Sequence, residues 1–231
     1  MNAQGGNTLR HEIKFVAYAG EYATLRNWLR THEAGFRQSY PRRRINNVYF
    51  DTWDCRAWAE NLAGISRRSK LRYRWYGNEL APQPGQLEVK HRRNQLGWKQ
   101  RYPVAMRVWA PGWAWQDVRM ALREQLPPGA HFWLDQHPQA MFINHYEREY
   151  FVSGDGRIRA TLDTGQQVYD QRLRHAPNLA RRAVIQDTVV LELKFSPDDR
   201  ALGTDLLADV PVRIGRHSKY MNAVRAIAMV S

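Results

Sequence analysis

The segment QLEVKHRRNQLGWKQRY alternates with a period of two: Leu87 and Val89 fall on one side, Glu88, Lys90 and Arg92 on the other. Such alternation specifies a strand with one apolar and one polar face. The pattern recurs, and its polar side keeps the same sign. SKLRYRWYG sets Lys70, Arg72 and Arg74 against Leu71, Tyr73 and Trp75. TVVLELKF sets Val190, Glu192 and Lys194 against Val189, Leu191, Leu193 and Phe195. LRHEIKFVA sets Arg10, Glu12 and Lys14 against His11, Ile13 and Phe15. A chain written this way must build a sheet with one packed face and one cationic face.

The connections read as antiparallel. QLEVKHRR and GWKQRYPVA flank a turn at Asn94 to Gly97, and HYEREYFVSGDGRIRATLDTG turns at Gly154-Asp155-Gly156. On the arms of that second hairpin, Arg148 and Arg159 can share a face. RINNVYFDT supplies a further strand. Helical spacing appears in GEYATLRNWLRT, WDCRAWAENLAG, AWQDVRMALREQL, PQAMFINHY and KYMNAVRAIAMV. Residues 164–187 read as a polar loop or flap. The expectation is α+β: about eight antiparallel strands with helices outside, in a single domain over 9–231 after a flexible tail at 1–8.

The 231 residues carry a formal net charge of +13 and a pI near 10.2. A polyanionic partner follows. Hydrophobic residues make up 43%, enough for a core, and the lone Cys55 excludes an internal disulfide. No apolar segment long enough for a leader or a membrane span is visible, so a cytoplasmic location is expected.

An open basic sheet would be solvated and functionally bland. A closed one would crowd its cations into a lumen, tolerable only with water or a strongly anionic ligand inside. A phosphate chain suits such a lumen, with Glu12, Glu88 and Glu192 available to a divalent metal. Removing Arg72 and Arg74 should then relieve repulsion and raise stability. A nucleic-acid platform is the bland rival: Tyr73, Trp75, Tyr76 and Trp98 could stack bases. Tyr73 and Trp75 alternate to the face opposite the arginines, however, so no nucleic acid is expected.

The segments RHEIKF, INNVYFDT, KLRYRWY, LEVKHRRNQLGWKQR, YEREYF, RATLDT, LELKF and HSKY occur in the order found in the VTC (vacuolar transporter chaperone) domain. The chain resembles that polyphosphate polymerase family, one of the triphosphate tunnel metalloenzymes alongside the CYTH proteins. The resemblance implies an eight-stranded antiparallel β-barrel tunnel using ATP or another triphosphate, inorganic polyphosphate and Mn²⁺ or Mg²⁺. It implies catalytic roles for Lys14, Arg72, Arg74, Lys90, Arg148, Arg159, Lys194 and Lys219. Glu192 matches the metal-binding glutamate. Lys99, Arg92, Arg101, Arg216, Glu12 and Glu88 are implied substrate-binding or supporting positions. The first strand has one Glu where the CYTH signature ExExK has two, which favours the VTC branch. No phosphate-sensing domain or membrane helices accompany the motifs, so a stand-alone domain is expected. Polymerase, triphosphatase and non-catalytic polyphosphate-binding module all remain open.

Other features are structural. No phosphate-binding P-loop is present. His131, His137 and His145 lack zinc-site spacing. Asp51 and Asp163 are expected to end strands and bond turn backbone, and Cys55 to be buried and inert.

Overall fold

The computed structural model describes residues 11–93, 96–215 and 217–228. Arg216, the tail at 1–8 and turn residues 94 and 95 lie outside them. Among the described residues eight strands form one sheet: β1 (His11–Tyr18), β2 (Arg37–Asp51), β3 (Arg67–Tyr76), β4 (Gly85–Arg93), β5 (Leu96–Val104), β6 (Gln139–Val152), β7 (Arg159–Asp170) and β8 (Thr188–Phe195). Every neighbouring pair is antiparallel, in the order β1-β8-β7-β6-β2-β3-β4-β5. The helices are α1 (Tyr22–Thr31), α2 (Arg56–Leu62), α3 (Trp115–Gln125), α4 (Pro128–Gln136), α5 (Arg200–Ala208) and α6 (Lys219–Ala228).

The sheet curls without closing, which corrects the expectation of a barrel. Glu12 on β1 comes within 3.9 Å of Lys90 on β4, so strands far apart in the order face each other across a trough. Among the described residues no backbone ladder joins the edge strands β1 and β5. Two local features keep them apart. Ile214 bridges to Phe15, and the Gly215 N–H donates to the Lys14 carbonyl, so the free edge of β1 is already taken. Pro103 lies within β5 and has no N–H to offer a further strand, as suits an edge.

The outer face carries the larger part of the core. Leu71, Tyr73, Trp75, Leu87 and Val89 pack against Val118 and Leu122 of α3 and Leu134 of α4. Phe15, Leu162, Leu191 and Leu193 pack against Leu25 and Leu29 of α1. Tyr73 and Trp75 are fully buried, as their alternation requires. Gly85 is needed where it stands, because a Cβ there would lie 2.1 Å from the Arg74 carbonyl oxygen.

A third apolar cluster crosses to the inner face. Tyr49 and Phe142 stack 4.9 Å apart and meet Tyr220, Val224 and Ile227 of α6 and Ala57 of α2. Helix α6 therefore lies over one end of the trough.

PQAMFINHY is not a helix but the first part of β6. Residues 139–146 are all buried, because α6 covers one face of this central strand and the outer core the other. A strand buried on both faces shows a continuous apolar run, which periodicity alone cannot tell from a helix. Residues 164–170 also belong to a strand, so the expected loop shrinks to 171–187. That segment is pinned at Gln171, whose side chain donates to the Asn178 carbonyl at 2.8 Å. Helices α4 and α5 are not among the elements expected from the sequence. Proline at the first position of α4 starts a helix as readily as it stops one.

Candidate functional site

Strand register places most of the nominated residues on the concave face. Lys14 pairs with Glu192, and Glu12 with Lys194. Arg159 lies beside Lys194. Lys70, Lys90 and Lys99 form one cross-strand row, and Arg72, Glu88 and Arg101 the next. Arg148 pairs with Asp163, and Lys219 reaches the same carboxylate from α6 at 2.5 Å. Arg92 sits at the exposed end of β4, opposite Arg68, and is peripheral to these rows.

Three charged clusters result. In the first, Lys14 Nζ lies 2.9 Å from Glu12 Oε1 and 3.4 Å from Glu192 Oε2, and Lys194 contacts the other Glu192 oxygen. In the second, Arg72 Nε donates to Glu88 Oε2 at 2.7 Å and its Nη1 to Tyr49 Oη at 3.1 Å. Arg101 approaches the other Glu88 oxygen at 3.7 Å. In the third, Arg148 grips Asp163 in bidentate fashion at 2.5 and 2.7 Å.

Tyr146 joins the second and third clusters. Arg74 donates to its hydroxyl at 3.1 Å, Lys219 Nζ lies 4.4 Å from its ring centroid, and the Arg148 guanidinium 5.3 Å. Arg74 is oriented in turn by Asn47 Oδ1, and Asn47 by Asn144.

The cations are thus interleaved with carboxylates, and the titration shifts follow. Burial alone would raise the Glu192 pKa, but Lys194, Lys14 and Arg148 outweigh it and hold it well below the usual carboxylate range. Burial and Glu192 push Glu12 up; Lys90, Lys14 and Lys194 bring it down to about 2. Against burial, Arg72, Arg74 and Lys99 depress Glu88. Burial would raise the Tyr146 phenol, but Arg74, Arg148 and Lys219 lower it.

This pairing overturns the expected effect of removing Arg72 and Arg74. Each has a structural partner, and Glu88 is almost wholly buried. Arg72→Ala is expected to destabilise the fold by about 3 kcal/mol, because one half of a buried pair is left behind. Arg101→Ala, which removes a half-exposed arginine and leaves Glu88 its Arg72 partner, should cost less than about 1 kcal/mol. Urea unfolding of both variants checks the contrast.

Three lysines remain under-neutralised. Among the described residues Lys70 contacts only neutral groups, Asn61 at 3.2 Å and Ser218 at 3.4 Å, with its Nζ 4.7 Å from the Tyr220 ring centroid. Burial, then Lys90 and Arg68, bring its pKa down to about 7. Burial, then Arg72, lower Lys99 strongly; burial also lowers Lys90 against the pull of Glu12. A folded pKa below the unfolded one means the charged form opposes folding. The ligand-free protein should therefore gain stability as pH rises from about 7 toward 10. Denaturation at a series of pH values should show the gain, reduced in Lys70→Gln.

The same face holds buried polar atoms with no protein partner: Asn144 Nδ2, Thr161 Oγ1 and His217 Nε2. Such atoms call for water or a ligand.

Lys70 lies on this face without being among the nominated residues, and the turn role expected of Asp163 does not hold. Asp163 instead faces the trough, 2% exposed. The signal was parity, since Asp163 sits opposite Arg148. Tyr146 was equally legible, two residues before Arg148 in YER. Asp51 does bond turn backbone, accepting from Thr52 N and Ala57 N. The three glutamates do not gather into one metal site: Glu88 belongs to the arginine cluster, and no group of three His, Cys, Asp or Glu forms a metal cage among the described residues.

The VTC domain matches residues 9–228. This chain belongs to the VTC domain family. Its fold is shared with solved structures of other proteins. One, from Hippeastrum, is described as a candidate adenylyl cyclase whose dominant activity is that of a triphosphatase. It is 16% identical with a TM-score of 0.54, covering 94% of this VTC chain and 95% of its own. A second, a candidate adenylate cyclase from Vibrio parahaemolyticus, is 11% identical with a TM-score of 0.51, covering 93% and 97%. At these identities the likeness is one of fold. No curated protein matches the chain. No helix among the described residues is long and apolar enough to cross a membrane.

Proposed function

We propose that the concave face binds the triphosphate of ATP and transfers its terminal phosphoryl group to the end of a polyphosphate chain. The observation that carries this reading is the excess of cations on one trough. A linear polyanion neutralises that excess.

Phosphoryl transfer asks the protein for position and charge neutralisation rather than a nucleophile. Arg72, Arg74 and Arg148 offer planar forks to phosphate oxygens; Lys14, Lys90, Lys99, Lys194 and Lys219 act as point charges. Arg159, exposed beside Lys194, extends the track. Asp163 and Glu88 hold their arginines in orientation.

The residues present fit a divalent cation in one place. Glu12 and Glu192 both contact Lys14 Nζ, so their carboxylates converge on a common point. Two carboxylates, with phosphate oxygens and water for the remaining positions, suit Mg²⁺ or Mn²⁺. A bound divalent ion would supply neutralisation of the charge developing on the phosphate oxygens. Lys14 and Lys194 hold the two carboxylates ionised and aligned.

A second reading, hydrolysis of a triphosphate, is favoured by α6. It packs on Tyr49 and Phe142 at one end of the trough, where a lengthening chain would have to leave, and the Hippeastrum protein of the same fold is described as having a dominant triphosphatase activity. Incubation with ATP, Mn²⁺ and a short polyphosphate primer, resolved on a gel, separates the two. Ladders of increasing length support polymerisation; free phosphate released without longer chains supports hydrolysis. Tight binding without either product leaves a binding module.

A further inference from the structure

Three tyrosines on β2, β3 and β6 lie together and are not packed away. Tyr40 is 58% exposed and Tyr76 42%, and Tyr150 is half-buried. They surround one guanidinium. Arg43 Cζ lies 5.4 Å from the centroid of Tyr40, 5.3 Å from Tyr76 and 5.0 Å from Tyr150. Tyr40 and Tyr150 also meet edge to face at 5.8 Å. Among the described residues no carboxylate lies within ion-pair distance of Arg43, whereas its neighbours Arg42 and Arg44 both pair with Glu147.

Position ties this cluster to the phosphate track. Tyr76 follows Arg74 by two residues on β3, and Tyr150 follows Arg148 by two on β6, so each keeps the inward parity of its arginine. Arg43 pairs in register with Arg148, and Tyr40 with Tyr150, across β2 and β6. The Tyr150 phenol, raised by burial, is pulled the other way by both Arg148 and Arg43. The cationic face therefore passes directly into an aromatic one at this end, while the other end is covered by α6.

We infer that Tyr40, Tyr76, Tyr150 and Arg43 form the subsite for the purine base of a nucleoside triphosphate whose phosphates lie on Arg74, Arg148 and the basic track beyond. The inference rests on the triphosphate reading above and adds its substrate class and polarity. Exposed rings and a guanidinium held among them give flat surfaces on which a base stacks. A purine offers more stacking area than a pyrimidine. Nothing in the cluster carries a carboxylate to read a base edge, so adenine and guanine should be taken with little discrimination. Base-free tripolyphosphate would use the track alone.

Isothermal titration of ATP and of tripolyphosphate, without divalent metal, against the wild-type chain and the Tyr40→Ala/Tyr76→Ala double variant tests this. The expected result is ATP binding weakened on the order of tenfold, with tripolyphosphate affinity held within about twofold. Retained tripolyphosphate binding also shows that the variant is folded. The Tyr40→Phe/Tyr76→Phe variant, which keeps the rings, should bind ATP as wild type does. ATP binding unchanged in the alanine variant, or both ligands weakened equally, would overturn the base subsite and leave the triphosphate site standing. Wild-type protein that binds neither ligand would overturn both.

Discussion

Asp163→Asn is expected to lower the melting temperature by about 10 °C. Breaking a buried pair by removing one partner costs about 3–5 kcal/mol, and at this chain length each kcal/mol is worth about 2–4 °C. Asp163 is 2% exposed and receives two bonds from Arg148 and one from Lys219. Asparagine keeps the volume but leaves two buried cations without a counter-charge. The substitution should also change the acid limb. Burial would raise the Asp163 pKa, but Arg148 and Lys219 bring it down to about 2, below the unfolded value near 3.9. Its contribution is therefore complete above about pH 4 and lost as pH falls toward 2. Thermal melts from pH 7 to 2 should show a steep acid loss in wild type and a shallower one in the variant. A drop of less than about 2 °C at pH 7 would mean that Asp163 does not hold these cations.

Glu192→Gln is expected to lower metal-dependent turnover on the order of a hundredfold or more. Glutamine keeps the shape and loses the charge that a hard cation requires. The substitution also strips Lys14 and Lys194 of a shared partner, so tripolyphosphate binding without metal should be retained or strengthened. Measuring turnover against metal concentration and binding without metal separates these effects. Full turnover at saturating metal would place the ion elsewhere. Loss of metal-free binding as well would make Glu192 a structural residue.

The basic face was legible because its strands alternate strictly. Arg72 and Arg74 against Tyr73 and Trp75, and Glu192 and Lys194 against Leu191 and Leu193, show period two with no tertiary information. The family was legible for the same reason, its motifs being those strands in order. The start of β6 was not, because Met141, Phe142 and Ile143 are buried from both sides and lose the alternation. Sheet closure was not legible either, since it turns on what occupies the free edge of β1, and Ile214 reaches that edge from nearly 200 positions away along the chain. The role of Asp163 was hidden by a local habit of aspartate near strand ends. Only the pairing with Arg148 and the arrival of Lys219 from α6 identify it as a counter-ion. The repulsion expected between Arg72 and Arg74 was likewise a property of the list of cations, and Glu88, Asn47 and Tyr146 cancel it.

The central assignment, a trough built for a linear phosphate chain, is tested most directly by thermal unfolding with tripolyphosphate or duplex DNA. The two are compared at one ionic strength and equal phosphate concentration. Both polyanions lose affinity as salt rises, so salt dependence alone is uninformative. Width separates them: a duplex is too wide for a trough that the Glu12 and Lys90 side chains bridge from β1 to β4, with 3.9 Å between their charged atoms. Tripolyphosphate at about a hundred times its dissociation constant should stabilise the protein by about 2.7 kcal/mol, a rise of several degrees, while DNA leaves the melt unchanged. An equal rise with DNA would contradict the trough assignment and make the basic face an open nucleic-acid platform.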